Sequence, residues 1–142
     1  MQNKKIILAS LSPRRIELLK KWELKFAVIP SNINEKHNLK RPSSIVKYLS
    51  YKKAENVKLQ NPDSIVIGSD TIVVLNGKIL GKPINRKHSI QIIKELNGSL
   101  HKVYTGVSIL SDKKKKIFYD VANVRMKKLP YEPTLKDAVP GD

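Results

Sequence analysis

The chain has 142 residues, 40% of them hydrophobic, and a formal net charge of +16. That length suits one domain with a sizeable core, and the absence of cysteine excludes disulfides and thiolate metal sites. No apolar run approaches the ~20 residues that span a bilayer, and the apolar stretch after the basic N-terminus is too short for a signal peptide, so a cytoplasmic protein is expected. The positive charge points to anionic partners such as nucleic acid or nucleotides. Only Lys113-Lys114-Lys115-Lys116 is a dense run. Aromatic residues make up 6% and are not interleaved with the basic ones, so a dedicated nucleic-acid-binding role is not expected.

Ile6-Ile7-Leu8 reads as a short buried strand. A hydroxyl-rich turn follows, and Ser12 and Pro13 open a helix over about Pro13 to Lys21, as N-cap and first helical residue. Phe26 to Ile29 reads as a second strand closed by Pro30, and Ser31 to Arg41 as a loop holding Glu35. Pro42-Ser43-Ser44 opens a long helix that should end near Asn61-Pro62. Ser64 to Gly68 is a β-branched strand, which Ser69-Asp70-Thr71 is expected to break before Ile72 to Leu75 resumes it. Asn76-Gly77 signals a hairpin leading to Ile79-Leu80. Asn85 caps a helix whose C′ residue is Gly98. Val103 to Leu110 and Ile117 to Ala122 read as strands joined at the lysine run, and Val124 to Leu129 as a further strand. Pro130 to Asp142 holds three prolines and no periodicity, and reads as an irregular tail. Alternating helices and strands, followed by strands, describe an α/β chain with a mixed sheet.

The chemistry-bearing residues gather at breaks between elements. Arg14 and Arg15 stand in the first turn of a helix, where the macrodipole disfavours cations unless an anion sits opposite. With Ser10 and Ser12 beside free backbone N–H groups, they describe a phosphate site, unless both arginines point into solvent. Asp70, between Ser69 and Thr71, suits metal ligation or general-base work, or else an Asx-turn that ends the strand. Lys82, between Gly81 and Pro83, can be held against a phosphate or be a solvated loop lysine. Lys53 cannot be told by pattern from Lys47, Lys52 and Lys58. His37, His88 and His101 show no metal-ligand or triad spacing, and there is no P-loop and no GxGxxG.

The stretch Leu8-Ala9-Ser10-x-Ser12-Pro13-Arg14-Arg15-x-Glu17-Leu18-Leu19 resembles the signature of the Maf family of nucleotide pyrophosphatases. The resemblance continues through Glu35, Leu49-x-x-x-Lys53-Ala54, Gly68-Ser69-Asp70-Thr71-x-Val73, Gly81-Lys82-Pro83 and Tyr104-Thr105-Gly106-Val107. It implies a Maf-like (ITPase-like) mixed, bent sheet with flanking helices and a cleft between two lobes, spanning residues 1–129. It also implies hydrolysis of a nucleoside triphosphate to the monophosphate and pyrophosphate. By resemblance Asp70 is the catalytic residue, and Ser10, Ser12, Arg14 and Arg15 form the substrate-binding loop. Lys53 and Lys82 are phosphate-binding lysines, and Glu35 with Asp70 holds a divalent cation, Mg²⁺ or Mn²⁺. The arginine pair is similar to the branch acting on dTTP and UTP. That branch is associated with the removal of non-standard pyrimidine nucleotides and with arrest of septum formation. A homodimer is implied in the same way.

Family members continue through a further helix and a glycine-rich block that contributes to base recognition. Tyr131 to Ala138 only faintly resembles the start of that region, so the C-terminal part is expected to be missing. The alternatives are an inactive remnant that at most binds nucleotides and a basic nucleic-acid-binding protein.

Overall fold

A computed structural model describes residues 4–10, 12–81 and 84–128, with the backbone alone for Pro13 and Arg14. The expected tail from Pro130, together with Leu129, Lys82 and Pro83, lies outside the described residues.

The elements run β1 (Ile6–Leu8), α1 (Pro13–Lys21), β2 (Ala27–Val28), α2 (Pro42–Gln60), β3 (Ile65–Leu75), β4 (Lys78–Leu80), α3 (Arg86–Leu96), β5 (Leu100–Leu110) and β6 (Lys115–Arg125). They build one mixed sheet in the order β2-β1-β3-β5-β6, with β4 paired to β3. β1 is parallel to β2 and to β3, while β4 is antiparallel to β3. A strand with parallel neighbours on both sides is buried on both faces, which is why β1 reads as an unbroken apolar run and why Ile7 is fully buried.

Two compact units divide the chain, and their boundaries fall inside β3, β5 and β6. The first comprises Met1–Thr71 and Thr105–Asp120. Its core joins Ile7 of β1, Ala9 just after it, Ala54 and Val57 of α2, Val66 of β3 and Leu110 of β5, with Ala27, Ile29 and Tyr51 packed against them. α2 lies unusually close to the sheet. A Cβ on Gly68 would stand 2.2 Å from the Ser50 carbonyl oxygen and 2.8 Å from the Ala54 nitrogen, and one on Gly106 would stand 2.2 Å from the Val46 carbonyl oxygen. Two glycines, one on β3 and one on β5, therefore let the helix backbone rest on the strands. Between them Ser50 Oγ donates to the Lys47 carbonyl and, having one proton to give, accepts from Ser108 Oγ at 2.7 Å.

The second unit comprises Ile72–Tyr104 and Val121–Asp142. Its β3–β4 hairpin turns at Asn76 and Gly77, both with positive φ (52° and 76°), the conformation the Asn-Gly pair favours. Asn85 caps α3 by accepting from the His88 N–H, and Gly98 follows the helix at φ 71°, both as the sequence indicates.

Four expectations need correction. Ser69-Asp70-Thr71 does not break the strand, because β3 is continuous from Ile65 to Leu75. Lys115 and Lys116 belong to β6 rather than to the turn, which closes at Ser111 and Lys114. The further strand expected over Val124 to Leu129 does not form as a separate element, because Val124 and Arg125 continue β6 and residues 126–128 lie outside any strand. Ser12 is the N-cap of α1, but its hydroxyl makes no capping bond.

Candidate functional site

β1 ends at Leu8, which is in register with Ile67 of β3, and the last bond of that pairing is Ala9 N–H to the Ile67 carbonyl at 2.9 Å. β3 continues beyond this point, so Gly68 to Thr71 outrun their neighbour. The chain leaving β1 turns at Ser10 and enters α1. In open α/β sheets the crevice past the carboxyl ends of parallel strands is where ligands bind. Every site residue that the structure describes belongs to the first unit.

Side chains alternate along a strand. Gly68 faces α2, as its contacts with Ser50 and Ala54 show, so Asp70 faces α2 as well. The missing Cβ of Gly68 brings the helix close enough for Lys53 Nζ to donate to Asp70 Oδ1 at 2.8 Å. Both side chains are largely buried, at 13% and 8% exposure. A buried carboxylate needs such a partner, since an unpaired one would be far too costly to desolvate. The same ammonium lies 3.4 Å from Glu35 Oε1. Glu35 comes from the loop before α2, and that loop is tied to the helix by Asn32 N–H donating to Asn56 Oδ1 at 2.9 Å. One lysine thus gathers two carboxylates from distant parts of the chain.

A second cluster lies on the opposite face of β3, the face of Ser69 and Thr71. Arg15 Nη1 donates to Ser10 Oγ and to the Ser69 carbonyl, both at 3.3 Å, and Nη2 donates to Thr71 Oγ1 at 3.1 Å. The Ser12 N–H donates to Ser10 Oγ at 3.1 Å. Ser10, Ser12 and Ser69 are all buried. Arg15 therefore does not simply point into solvent. It is held at the end of β1, at the start of α1, where backbone N–H groups and the macrodipole favour an anion. Arg14 lies in the same helical turn with its side chain outside the described residues.

Asp70 and Glu35 are the only site residues of the metal-ligating type, and among the described residues no group of three or more His, Cys, Asp or Glu converges. A hard cation such as Mg²⁺ is commonly held by one or two carboxylates and completed by substrate phosphate oxygens and water. The two carboxylates on Lys53 fit that pattern and do not fit a cage made by protein alone.

Ser69 and Thr71, treated from sequence as mere neighbours of Asp70, anchor Arg15, and Asn56 anchors the Glu35 loop. Nothing in local spacing marks them, because their partners are 54, 56 and 24 residues away. His101 is buried with Nδ1 3.1 Å from Ser99 Oγ, and His88 Nδ1 accepts from the Ile84 N–H, so both have structural bonds. In the second unit an open cavity of about 570 Å³ is lined by Gly98, Leu100, Arg125, Met126, Lys127 and Lys128.

A family model described as Maf-like protein matches residues 5–135. The chain belongs to the Maf family. Among curated Maf-like relatives it is 45% identical over 123 residues to the dTTP/UTP pyrophosphatase of Elusimicrobium minutum, covering 87% of this chain and 67% of that protein. It is 44% identical to that of Thermosipho africanus (90% and 65% covered) and 42% identical to that of Shouchella clausii (96% and 72%). The chain spans about two thirds of the length of the curated relatives it matches. Among solved structures it resembles the Ham1 protein of Staphylococcus aureus, with a TM-score of 0.59 at 15% identity, covering 86% of this chain and 71% of that one. It also resembles a dITP/XTP pyrophosphatase of Mycobacterium abscessus, with a TM-score of 0.53 at 10% identity, covering 89% and 76%. These likenesses show the mixed α/β fold with flanking helices. No helix among the described residues is long and apolar enough to cross a membrane.

Proposed function

We propose that this Maf-family chain is a nucleoside triphosphate pyrophosphatase acting on dTTP, UTP or related pyrimidine nucleotides. The observation that carries this reading is its 42–46% identity, over most of its length, to relatives named dTTP/UTP pyrophosphatase. The site agrees with it. A triphosphate is strongly anionic, and catalysis of its hydrolysis is mostly positioning and charge stabilisation. Arg15, Ser10 and the first turn of α1 supply donors for phosphate oxygens, with Arg14, Ser12 and Lys82 assigned to the same task by resemblance.

In the reaction a water oxygen bonds to the α-phosphorus while the bond from that phosphorus to the α,β-bridging oxygen breaks. Pyrophosphate leaves with the electron pair. Asp70 orients the water and accepts its proton, and Lys53 moves onto the phosphate charge that builds up. Asp70 and Glu35 would hold a divalent cation, which when bound neutralises phosphate charge and lowers the pKa of water. Residues 1–129 form the pyrophosphatase domain in this reading. The cytoplasmic location and a homodimeric state belong to the same proposal and rest on the family resemblance.

Pyrophosphate release from a panel of triphosphates with Mg²⁺ or Mn²⁺ tests it. We expect release from dTTP and UTP and a loss of about 10²-fold or more in Asp70→Asn, as for removal of a general base. No release from any triphosphate, or full activity in Asp70→Asn, would overturn the reading.

A further inference from the structure

We propose that Lys53 is the resident cation of the Asp70–Glu35 pair, and that it makes the site selective for a metal–triphosphate complex over a free divalent ion. This rests on the pyrophosphatase reading above and adds to it an order of assembly. The observations are the two ion pairs converging on Lys53 Nζ, at 2.8 Å from Asp70 and 3.4 Å from Glu35. The depth of the first matters most, because the Asp70 side chain is 8% exposed and that of Lys53 13%. The donor count matters too: the described residues offer two carboxylates there and no group of three.

A divalent ion bound at about 2.0–2.1 Å from carboxylate oxygens would have to share those oxygens with an ammonium already in hydrogen-bond contact, against strong like-charge repulsion. A free ion therefore enters only by driving Lys53 off. That is costly, because a largely buried ammonium expelled from its partners loses the anions that compensate its burial. Two carboxylates alone are also a thin ligand set. A triphosphate removes both obstacles. Its oxygens complete the cation's shell, and its charge gives the flexible lysine stem somewhere to go with a charge-assisted hydrogen bond. Lys53 leaves the carboxylates for the phosphates at the moment the cation replaces it. Metal and nucleotide then bind with positive coupling, which by linkage is the same seen from either ligand.

The test is direct Mn²⁺ binding to the nucleotide-free protein, by calorimetry or by the electron paramagnetic resonance of the free ion. Lys53→Met keeps the stem and removes the charge. We expect it to bind free Mn²⁺ on the order of tenfold more tightly than the wild type, within the usual range of coupling between sites, while Lys53→Arg stays as weak as the wild type. Adding Glu35→Gln to Lys53→Met should abolish the gain, which locates it at the carboxylate pair. Because Lys53→Met leaves Asp70 without its partner and could fail to fold, the wild-type protein gives an independent reading. The Lys53 ammonium resonance should not move with millimolar Mg²⁺ alone, and should shift when Mg²⁺ is added with an α,β-methylene triphosphate. Free Mn²⁺ binding as tightly to the wild type as to Lys53→Met, or displacement of the Lys53 resonance by Mg²⁺ alone, overturns the proposal. If pyrophosphate release from the wild type persists in that case, only the order of assembly falls. If the wild type releases no pyrophosphate, the underlying reading falls first.

Discussion

The two helices that bring cations to the site are held in different ways. α2 buries Ile45, Val46, Leu49, Ser50, Ala54 and Val57, and its backbone rests on Gly68 and Gly106. None of the described side chains of α1 is buried, and Leu18 and its C-cap Trp22 are 57% and 72% exposed. The backbone of Lys53 is therefore placed by the hydrophobic core and is as rigid as that core, while its stem is free to carry the ammonium. Arg15 is placed by polar contacts to Ser10, Ser69 and Thr71. Asp70 and Glu35, the carboxylates of the proposed reaction, are met by the stiff helix. Arg15, the phosphate donor of the same proposal, comes from the helix with no buried side chain among those described.

The sharpest way to break this contrast is Gly68→Ala. Its new methyl would meet backbone atoms at 2.2 Å and 2.8 Å, so the helix itself must shift, and overpacking of this kind costs about 1–3 kcal/mol or more. We expect a lower midpoint in chemical denaturation, and a drop in turnover as Lys53 loses its register with Asp70. The counterpart on α1, Leu18→Ser, should stay within about 0.5 kcal/mol of the wild type. A tolerated Gly68→Ala would mean that α2 is not seated on the sheet as described.

A smaller effect is expected from the hydroxyl pair beneath α2. Ser50→Ala strands the fully buried Ser108 hydroxyl, and an unsatisfied buried donor costs about 1–3 kcal/mol. The double variant Ser50→Ala/Ser108→Ala should recover much of that loss, because neither partner is then left unpaired. Equal stabilities for the single and double variants would show that the pair does not pin the helix.

The smallest effect belongs to the far end of α2. Asp112 is bound by Lys4 and by Lys58, the latter at 3.1 Å. The hydrogen bond from Lys4, then that from Lys58, holds its carboxyl below the ordinary value of 3.8. A group depressed on folding contributes stability that is present above its unfolded pKa and lost as pH falls through the folded one. Asp112→Asn should therefore be slightly less stable than the wild type at neutral pH and equal to it in strong acid. A difference that persists unchanged into strong acid would assign the effect to something other than this charge.

Much of the frame was legible because its causes are local. Ile6-Ile7-Leu8 matches β1, Pro13 and Pro42 open α1 and α2, and the Asn85 cap and the Asn76-Gly77 turn stand where their chemistry requires. What escaped was set by tertiary contact. Ser69-Asp70-Thr71 looks like a break only while Asp70 has no partner. Once Lys53, 17 residues earlier, neutralises it, the extended backbone continues and the carboxylate is presented from mid-strand. Lys53 itself could not be separated from Lys47, Lys52 and Lys58 by spacing, because its pairing with Asp70 depends on the close approach of α2 to Gly68.

The parallel pairing of β1 carries a consequence for how the chain is made. β1 leaves the ribosome before β3, and this one of its two neighbours is separated from it by α1, β2 and the whole of α2. Loop-closure entropy must be met before Ile6, Ile7 and Leu8 gain their pairing with β3, so that edge of β1 stays unpaired during synthesis until β3 emerges. The order of translation thus delivers Ser10 and Arg15 before Ser69 and Thr71, the partners that complete the Arg15 cluster.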